Sequence, residues 1–271
     1  VSIPHRYRAG FVQFDIKRDR VEANLAMVET QLAALARAKV KLAVLPEMWT
    51  SSSVPGELER IAAESAGAVQ ELRGFARRHG MVVVGSSWER VGRHVYNTAQ
   101  VIDADGEIVG AYRKIHLFTP GGERLTFKEG KTPLIVQTAV GLVGVTICYD
   151  LRFPELYRAL AGAGARLIVA PAQWPAARVA HWRTLLSARA IENQVYVLGC
   201  NRTGVEKKTE GTLKFPGASA LIDPWGETLA TKGASAGCAW GEIDDAVIDT
   251  VRKRIPVWND RRPGAYKLRK R

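Results

Sequence analysis

A chain of 271 residues, 46% of them hydrophobic, is long enough to bury a large core, and with only three cysteines it relies on no disulfide scaffold. That sparse, odd cysteine count predicts a reducing, cytoplasmic setting, and no apolar run approaches the ~20 residues of a membrane span, nor does VSIPHRYRAG at 1–10 hold an apolar signal region. The net charge of +12 is uneven: residues 252–271 hold nine Lys or Arg against the single Asp260, a net of +8 that leaves +4 to the remainder.

In chain order, 7–16 alternates apolar and polar residues and predicts a strand. Val21, Leu25, Val28, Leu32 and Leu35 then recur at helical spacing, predicting a helix over about 19–38. A short apolar strand at 41–45 closes on Pro46 and Glu47, and a Ser/Pro/Gly loop follows. Val69, Leu72, Phe75 and Ala76 mark a second helix that stops near Gly80. A buried strand is predicted at 81–84, and strands at 95–102 and 108–112 flank the hairpin turn DADG at 103–106. Residues 117–131, with PGG at 120–122, read as irregular. Strands at 134–138 and 142–147 lead to Cys148, and FPE at 153–155 opens a helix, with proline tolerated in its first turn. A strand at 167–169 ends at Pro171, a helix covers about 177–192, and a strand at 195–200 carries Cys200. A second hairpin surrounds DPWG at 223–226. Cys238 falls in a small-residue loop before a strand near 239–243 and a helix at 246–254.

The two halves echo one another. LAVLPEMW at 42–49 matches LIVAPAQW at 167–174, the passage ending at Gly85 matches the one ending at Gly199, and IDADGE at 102–107 matches IDPWGE at 222–227. Three matches in the same order predict two pseudo-equivalent halves, each a sheet with helices on its outer face, packed as a four-layer α-β-β-α sandwich. The echo is chemically lopsided. Where the first copy has Glu47 the second has Ala172, so the fold does not demand a carboxylate there, and Glu47 becomes a functional candidate.

Cys148 ends an apolar strand at a strand-to-helix turn, where a thiol gains a rigid mount and a helix N-terminus favours its thiolate. A buried core cysteine is the commoner reading of that residue type. Lys114, in YRKIHLF at 112–118, is either an ordinary strand-edge lysine or a cation near Cys148.

Taken together, PE at 46–47, RKIHL at 113–117 and CYDLRFPE at 148–155 resemble the three signatures of the nitrilase superfamily of carbon–nitrogen hydrolases. PAQWPAAR at 171–178 and ARAIEN at 188–193 are similar to the branch that contains ω-amidase and deaminated-glutathione amidase. The resemblance spans nearly the whole chain. It implies the α-β-β-α sandwich, homodimers or higher homo-oligomers, and a catalytic triad of Glu47, Lys114 and Cys148; the hydrolase domain is expected over residues 1–250, and the charge sets off a basic tail at 251–271. Members often add a second glutamate after the lysine, here Glu123, with Glu129 close enough to compete. The residue types suit the chemistry. A neutral thiol is a weak nucleophile and needs a base, Glu47; Lys114 and the backbone N–H of Tyr149 would hold the oxyanion.

This reading calls for no cofactor and no metal. Trp174 and Trp49 are candidate pocket walls or core, Asn97 and Phe118 are further pocket candidates, and Arg152 is expected to pair locally with Asp150 or Glu155. The expected substrate is a small linear amide, first an ω-amide of a 2-oxo acid such as 2-oxoglutaramate. Nitrile hydrolysis, N-carbamoyl hydrolysis and acyl transfer are the alternatives within the superfamily, the last disfavoured for a lipoprotein acceptor without membrane spans. From another class, the rival is a non-catalytic scaffold using the basic tail, which lacks the motifs of nucleic-acid binding. Ile255, Val257, Trp258 and Tyr266 give that tail apolar groups, so it is expected to pack on a second subunit with Trp258 as anchor.

Overall fold

Alternation along the strands sorts side chains onto two faces, and that sorting builds the layers. The computed structural model describes residues 5–52, 56–208 and 211–266. The first half supplies β1 (Arg6–Gln13), β2 (Val40–Val44), β3 (Val82–Val91), β4 (His94–Ile102) and β5 (Ile108–Arg113). The second supplies β6 (Leu134–Thr138), β7 (Gly141–Val145), β8 (Leu167–Ala172) and β9 (Tyr196–Asn201). The ribbon β10 (Thr203–Lys208) and β11 (Gly211–Pro216), then β12 (Ala220–Ile222), β13 (Thr228–Thr231) and β14 (Gly237–Asp244), complete the strands. The helices are α1 (Val21–Arg37), α2 (Leu58–His79), α3 (Pro154–Gly162), α4 (Val179–Asn193), α5 (Asp245–Arg254) and α6 (Val257–Asp260).

The expected sandwich is present, and the echo between halves extends to the topology. One sheet runs β14-β1-β2-β3-β4-β5 and the other β6-β7-β8-β9-β12-β13. In each, three strands are parallel, the next two are antiparallel, and one antiparallel strand closes the far edge. Leu42, Val44, Val82 and Val84 meet Val143, Val145, Leu167 and Val169 in one buried cluster between the sheets. On the outer face, α1 and α2 seat Val28, Leu32, Leu72 and Phe75 against Ala43, Leu45 and Val83. On the other side, Leu160 of α3 and Leu186 of α4 press on Gly144 and Gly199. The lopsided pair meets at the centre: the Glu47 N–H donates to the Ala172 carbonyl at 3.4 Å.

Several elements differ from expectation for identifiable reasons. Helix α2 begins eleven residues before Val69, because Ala62, Ser65 and Ala68 fill its buried face with small groups that blur the apolar period. It does stop at Gly80, whose φ of +56° lets the cap N–H reach Ala76. Strand β8 continues through Pro171 to Ala172, whose carbonyl is occupied by the Glu47 and Arg202 N–H groups. Cys238 lies within β14, paired with Val12, rather than in a loop. The ribbon β10–β11 has no counterpart in the expected elements: VEKK in β10 shows no apolar alternation, and TLKF in β11 alternates over only four residues.

Helix α5 carries the chain past residue 250, and its Val251 is buried in the core, so the basic tail starts inside a packed helix. Trp258 packs within its own chain rather than standing free for a partner. Its Nε1 donates to the Asn193 carbonyl at 3.3 Å, and the guanidiniums of Arg158 and Arg261 lie 5.0 and 5.1 Å from its ring. Residues 53–55 of the loop after β2 and 267–271 of the tail lie outside the described residues. Among the described residues, no helix is long and apolar enough to cross a membrane.

Candidate active site

The chemistry-bearing side chains leave strands at one end of the sandwich. Glu47 comes after β2, Gln173 after β8, Cys148 after β7, and Lys114 after β5. For the parallel strands this is the carboxyl end, the usual ligand edge of such sheets. Lys114 is pinned by its neighbours: its N–H donates to the Asn97 carbonyl at 2.9 Å and its carbonyl accepts from Gly130 at 2.8 Å. Gly130 can come that close because it has no side chain; a Cβ there would lie 2.0 Å from the Arg113 carbonyl oxygen.

Cys148 opens a short 3-10 turn, Cys148–Arg152, that intervenes before α3. Its φ is +47°, and Met48, next to Glu47, has φ +49°. A non-glycine residue in the left-handed region costs roughly 1–3 kcal/mol and persists where its surroundings over-determine it, most often at functional sites. Asp150, fully buried, supplies that constraint. It accepts from the Ile147 N–H at 2.8 Å, from the Tyr112 hydroxyl at 2.7 Å and from the His116 N–H at 3.1 Å, with His116 Nδ1 also 2.7 Å away. One carboxylate thus clamps the residues on either side of Lys114 to the turn that carries Cys148.

Glu47, 4% exposed, accepts on both oxygens. Lys114 Nζ donates to Oε1 at 2.7 Å and Asn97 Nδ2 to the same oxygen at 2.8 Å; the Gln173 N–H donates to Oε2 at 3.0 Å. Lys114 also donates to Glu123 Oε1 at 2.8 Å, and Glu123 Oε2 accepts from the Phe118 N–H at 2.9 Å. Glu129 instead sits at the surface, 3.7 Å from Lys128. Burial disfavours the Lys114 ammonium, but the charges of Glu47 and Glu123 outweigh it and hold the lysine protonated. Burial also raises the Glu123 carboxyl, against the pull of Lys114. The Cys148 thiol is pushed well above its ordinary value, first by burial and then by the Glu47 charge. Burial and the Glu47 charge thus oppose the thiolate that the helix N-terminus favours, as the need for a base implies.

These groups open onto a cavity of about 660 Å³. Glu47, Asn97, Phe118, Glu123, Cys148, Tyr149 and Trp174 line it. Tyr149 is the second residue of the 3-10 turn, where a backbone N–H has no partner within the turn. Its ring meets Phe118 edge-on at 5.1 Å. Trp49 is not part of the wall. It is 1% exposed and packs over Gly85 in the core between α2 and the first sheet.

Sequence reasoning misjudged Arg152 and missed Gln173 and Arg178 on the same wall. Arg152 pairs with neither Asp150, whose oxygens are taken, nor Glu155. Its guanidinium lies 4.8 Å from the Trp174 ring and 3.2 Å from His181 Nδ1. Arg178 stands 5.7 Å from the Phe118 ring. Among the described residues neither guanidinium has a carboxylate partner, and both face the cavity that holds Cys148. The only hint in the sequence was Arg178, four residues after Trp174 and with no acidic residue at i±3 or i±4.

The carbon-nitrogen hydrolase family model matches residues 8–253. The chain is 37% identical over 263 residues to the 2-oxoglutaramate amidase of Bacillus subtilis (strain 168), covering 96% of this chain and all of that protein. It is 34% identical to the chloroplastic omega-amidase of Arabidopsis thaliana, covering 97% of this chain and 74% of that one. Among solved structures, a carbon-nitrogen hydrolase from Helicobacter pylori G27 superposes with a TM-score of 0.91 at 25% identity, over 97% of both chains.

Proposed function

This chain belongs to the carbon-nitrogen hydrolase family, and on that footing we propose that it hydrolyses a small linear amide, an ω-amide of a 2-oxo acid, to the acid and ammonia. The observation that carries the reading is one cavity lined by Cys148 and Glu47, with Lys114 bonded to Glu47 behind them, and by the guanidiniums of Arg152 and Arg178, neither of which has a carboxylate partner among the described residues. Glu47 takes the thiol proton as Sγ attacks the amide carbon. Lys114 and the Tyr149 N–H hold the oxyanion, each such donor supplying roughly 3 kcal/mol of transition-state stabilisation. Collapse breaks the C–N bond, and the proton on Glu47 leaves with ammonia. Glu47 then deprotonates the water that cleaves the thioester, releasing the acid and restoring the thiol. Glu123 acts on this sequence by holding Lys114.

The wall arginines receive the carboxylate at the far end of the substrate. A charge-assisted hydrogen bond contributes about 1.5–3 kcal/mol, so Arg178→Gln is expected to raise KM for 2-oxoglutaramate by about 10- to 100-fold. The same variant should leave a neutral amide of equal length almost unaffected. Ammonia release from a panel of amides, nitriles and N-carbamoyl compounds tests the reading. Preference for a nitrile or an N-carbamoyl compound overturns it.

The assembly expected here is a homodimer. Ile191, Trp225 and Ile255 are exposed near one another: Ile191 packs beside Gly226, Arg254 lies over the Trp225 ring, and Gln194 of the α4 cap bonds the Ile255 carbonyl. Such a patch calls for cover. Cutting the tail after Asp249 would remove core Val251 and so confound folding with assembly. The cleaner test is light scattering on Ile191→Asp, which should give a monomer where the parent gives a dimer. A parent that is monomeric at micromolar concentration removes the proposal.

A further inference from the structure

Arg202, just past the end of β9, is 1% exposed, an unusual place for a cation. Its guanidinium reaches four parts of the chain at once. Nη1 donates to Glu206 Oε2 at 2.6 Å, Gln173 Oε1 at 3.1 Å and Ser52 Oγ at 3.2 Å; Nη2 donates to the Ile16 carbonyl at 2.9 Å and Asp15 Oδ1 at 3.3 Å. The ring of Phe215 covers one face at 4.3 Å. Glu206 belongs to β10 and Phe215 to β11, the ribbon inserted only in the second half, and Phe215 and Leu213 line the cavity. One planar group therefore ties the ribbon to the floor of the site.

The floor contact runs through Gln173. The side-chain oxygen of Gln173 accepts from Arg202 Nη1 and lies 3.2 Å from the Ser52 hydroxyl, which is shared with Glu206 Oε2 at 2.8 Å. That fixes which way the amide points, so its Nε2 donates to the Glu47 carbonyl at 2.8 Å, while the Gln173 backbone N–H holds Glu47 Oε2 at 3.0 Å. Gln173 thus grips Glu47 by main chain and carboxylate together. An arginine suits the hub because its planar fork presents five donors in fixed directions, which a lysine ammonium does not.

We propose that Arg202 is a positioning residue that sets Glu47 through Gln173 and, with the same guanidinium, holds the β10–β11 ribbon over the cavity. The inference rests on Glu47 acting on the Cys148 thiol, so its test includes a readout that needs no substrate. Without a fixed Gln173 amide the Glu47 carbonyl loses its Nε2 donor and only the Gln173 backbone N–H still holds Oε2, so the carboxylate drifts from the thiol and the negative charge that keeps the thiol protonated weakens. Lys114 and Glu123, the other charges that face Cys148, stay in place.

The experiment tracks iodoacetamide labelling of Cys148 against pH, by mass spectrometry of its peptide, in Arg202→Lys, Gln173→Ala and the double variant. Each single variant is expected to label Cys148 roughly threefold faster at a fixed pH below the midpoint, and the double variant no faster than either, because both act through one link. The kcat for amide hydrolysis should fall about 10- to 100-fold in Arg202→Lys, the usual loss for a misplacement near 1 Å. Labelling curves that superpose on the parent, or single effects that multiply in the double variant, overturn the proposal. If Arg202→Lys does not fold, Gln173→Ala decides alone: an unmoved labelling curve there refutes the link. If the labelling shifts while no amide is hydrolysed by the parent, the proposed reaction fails and the positioning role stands.

Discussion

Cys148→Ala is expected to abolish amide hydrolysis and leave the circular dichroism spectrum unchanged. The loss should approach that of removing a nucleophile from other covalent hydrolases, on the order of 10⁶-fold in kcat, because no thioester can form. Folding should survive, since the substitution removes one buried atom and keeps a residue at φ +47° that Asp150 still clamps through Ile147. The thiol also predicts a pH signature in stability. Its folded pKa is raised above the ordinary value of 9.0, so the unfolded chain ionises first, and the stability it contributes below that value is lost as pH climbs toward the folded pKa. Cys148→Ala lacks that loss. The parent should therefore weaken relative to the variant above about pH 9, measured by chemical denaturation across pH. The raised thiol of Cys200 is present in both proteins and cancels. Hydrolysis that persists in Cys148→Ala would end the covalent mechanism.

The layers and the floor of the site were legible in the sequence for a common reason: both are written in strand grammar. Parallel strands buried on two faces read as apolar runs, and the residues just past each run are held at one edge of the sandwich. The mismatch of Glu47 against Ala172 marked a position the fold could spare. The walls were less legible. Trp49 and Trp174 occupy matching places in the repeat, yet Trp49 packs over Gly85 and Trp174 lines the cavity. In the second half the equivalent glycine, Gly199, is filled by Trp182 and Leu186 of α4. That tryptophan comes from a helix, so local pattern could not assign the role. Arg152 was expected to pair with its neighbour Asp150, but Asp150 is consumed by Tyr112 and His116, 38 and 34 residues away in the chain. The ribbon β10–β11 is held by Arg202 and the covering ring of Phe215, and its one alternating pair, Leu213 and Phe215, is too short a period to read as a strand.

Glu47→Gln is expected to fold, to lose hydrolysis, and yet to label more readily at Cys148. The first outcome comes from shape and from the partners. Gln can keep Lys114 and Asn97 on its oxygen, and Glu123 still neutralises the lysine. Its NH₂ must then face the Gln173 N–H where Oε2 stood 3.0 Å away, so one buried donor loses its acceptor, a cost of about 1–3 kcal/mol. The second arises because an amide cannot take the thiol proton, hand it to ammonia or activate water, and a general base typically contributes 10²–10⁴-fold. Since Glu47 serves both halves of the reaction, the fall in kcat should lie at or beyond the upper end of that range. The third is a matter of sign. The Glu47 charge raises the thiol pKa and Lys114 lowers it; removing the carboxylate leaves the lysine to act against burial and the smaller effect of the Glu123 charge. The pH midpoint of Cys148 alkylation must therefore move down while turnover disappears. A residue that merely braced the fold would lose both together on substitution, and one that acted only as a counter-charge would shift the midpoint and keep turnover. Only a base for the thiol gives a more ionised sulfur in a dead enzyme, so iodoacetamide labelling and ammonia release, measured on the same preparation, identify which of the three Glu47 is.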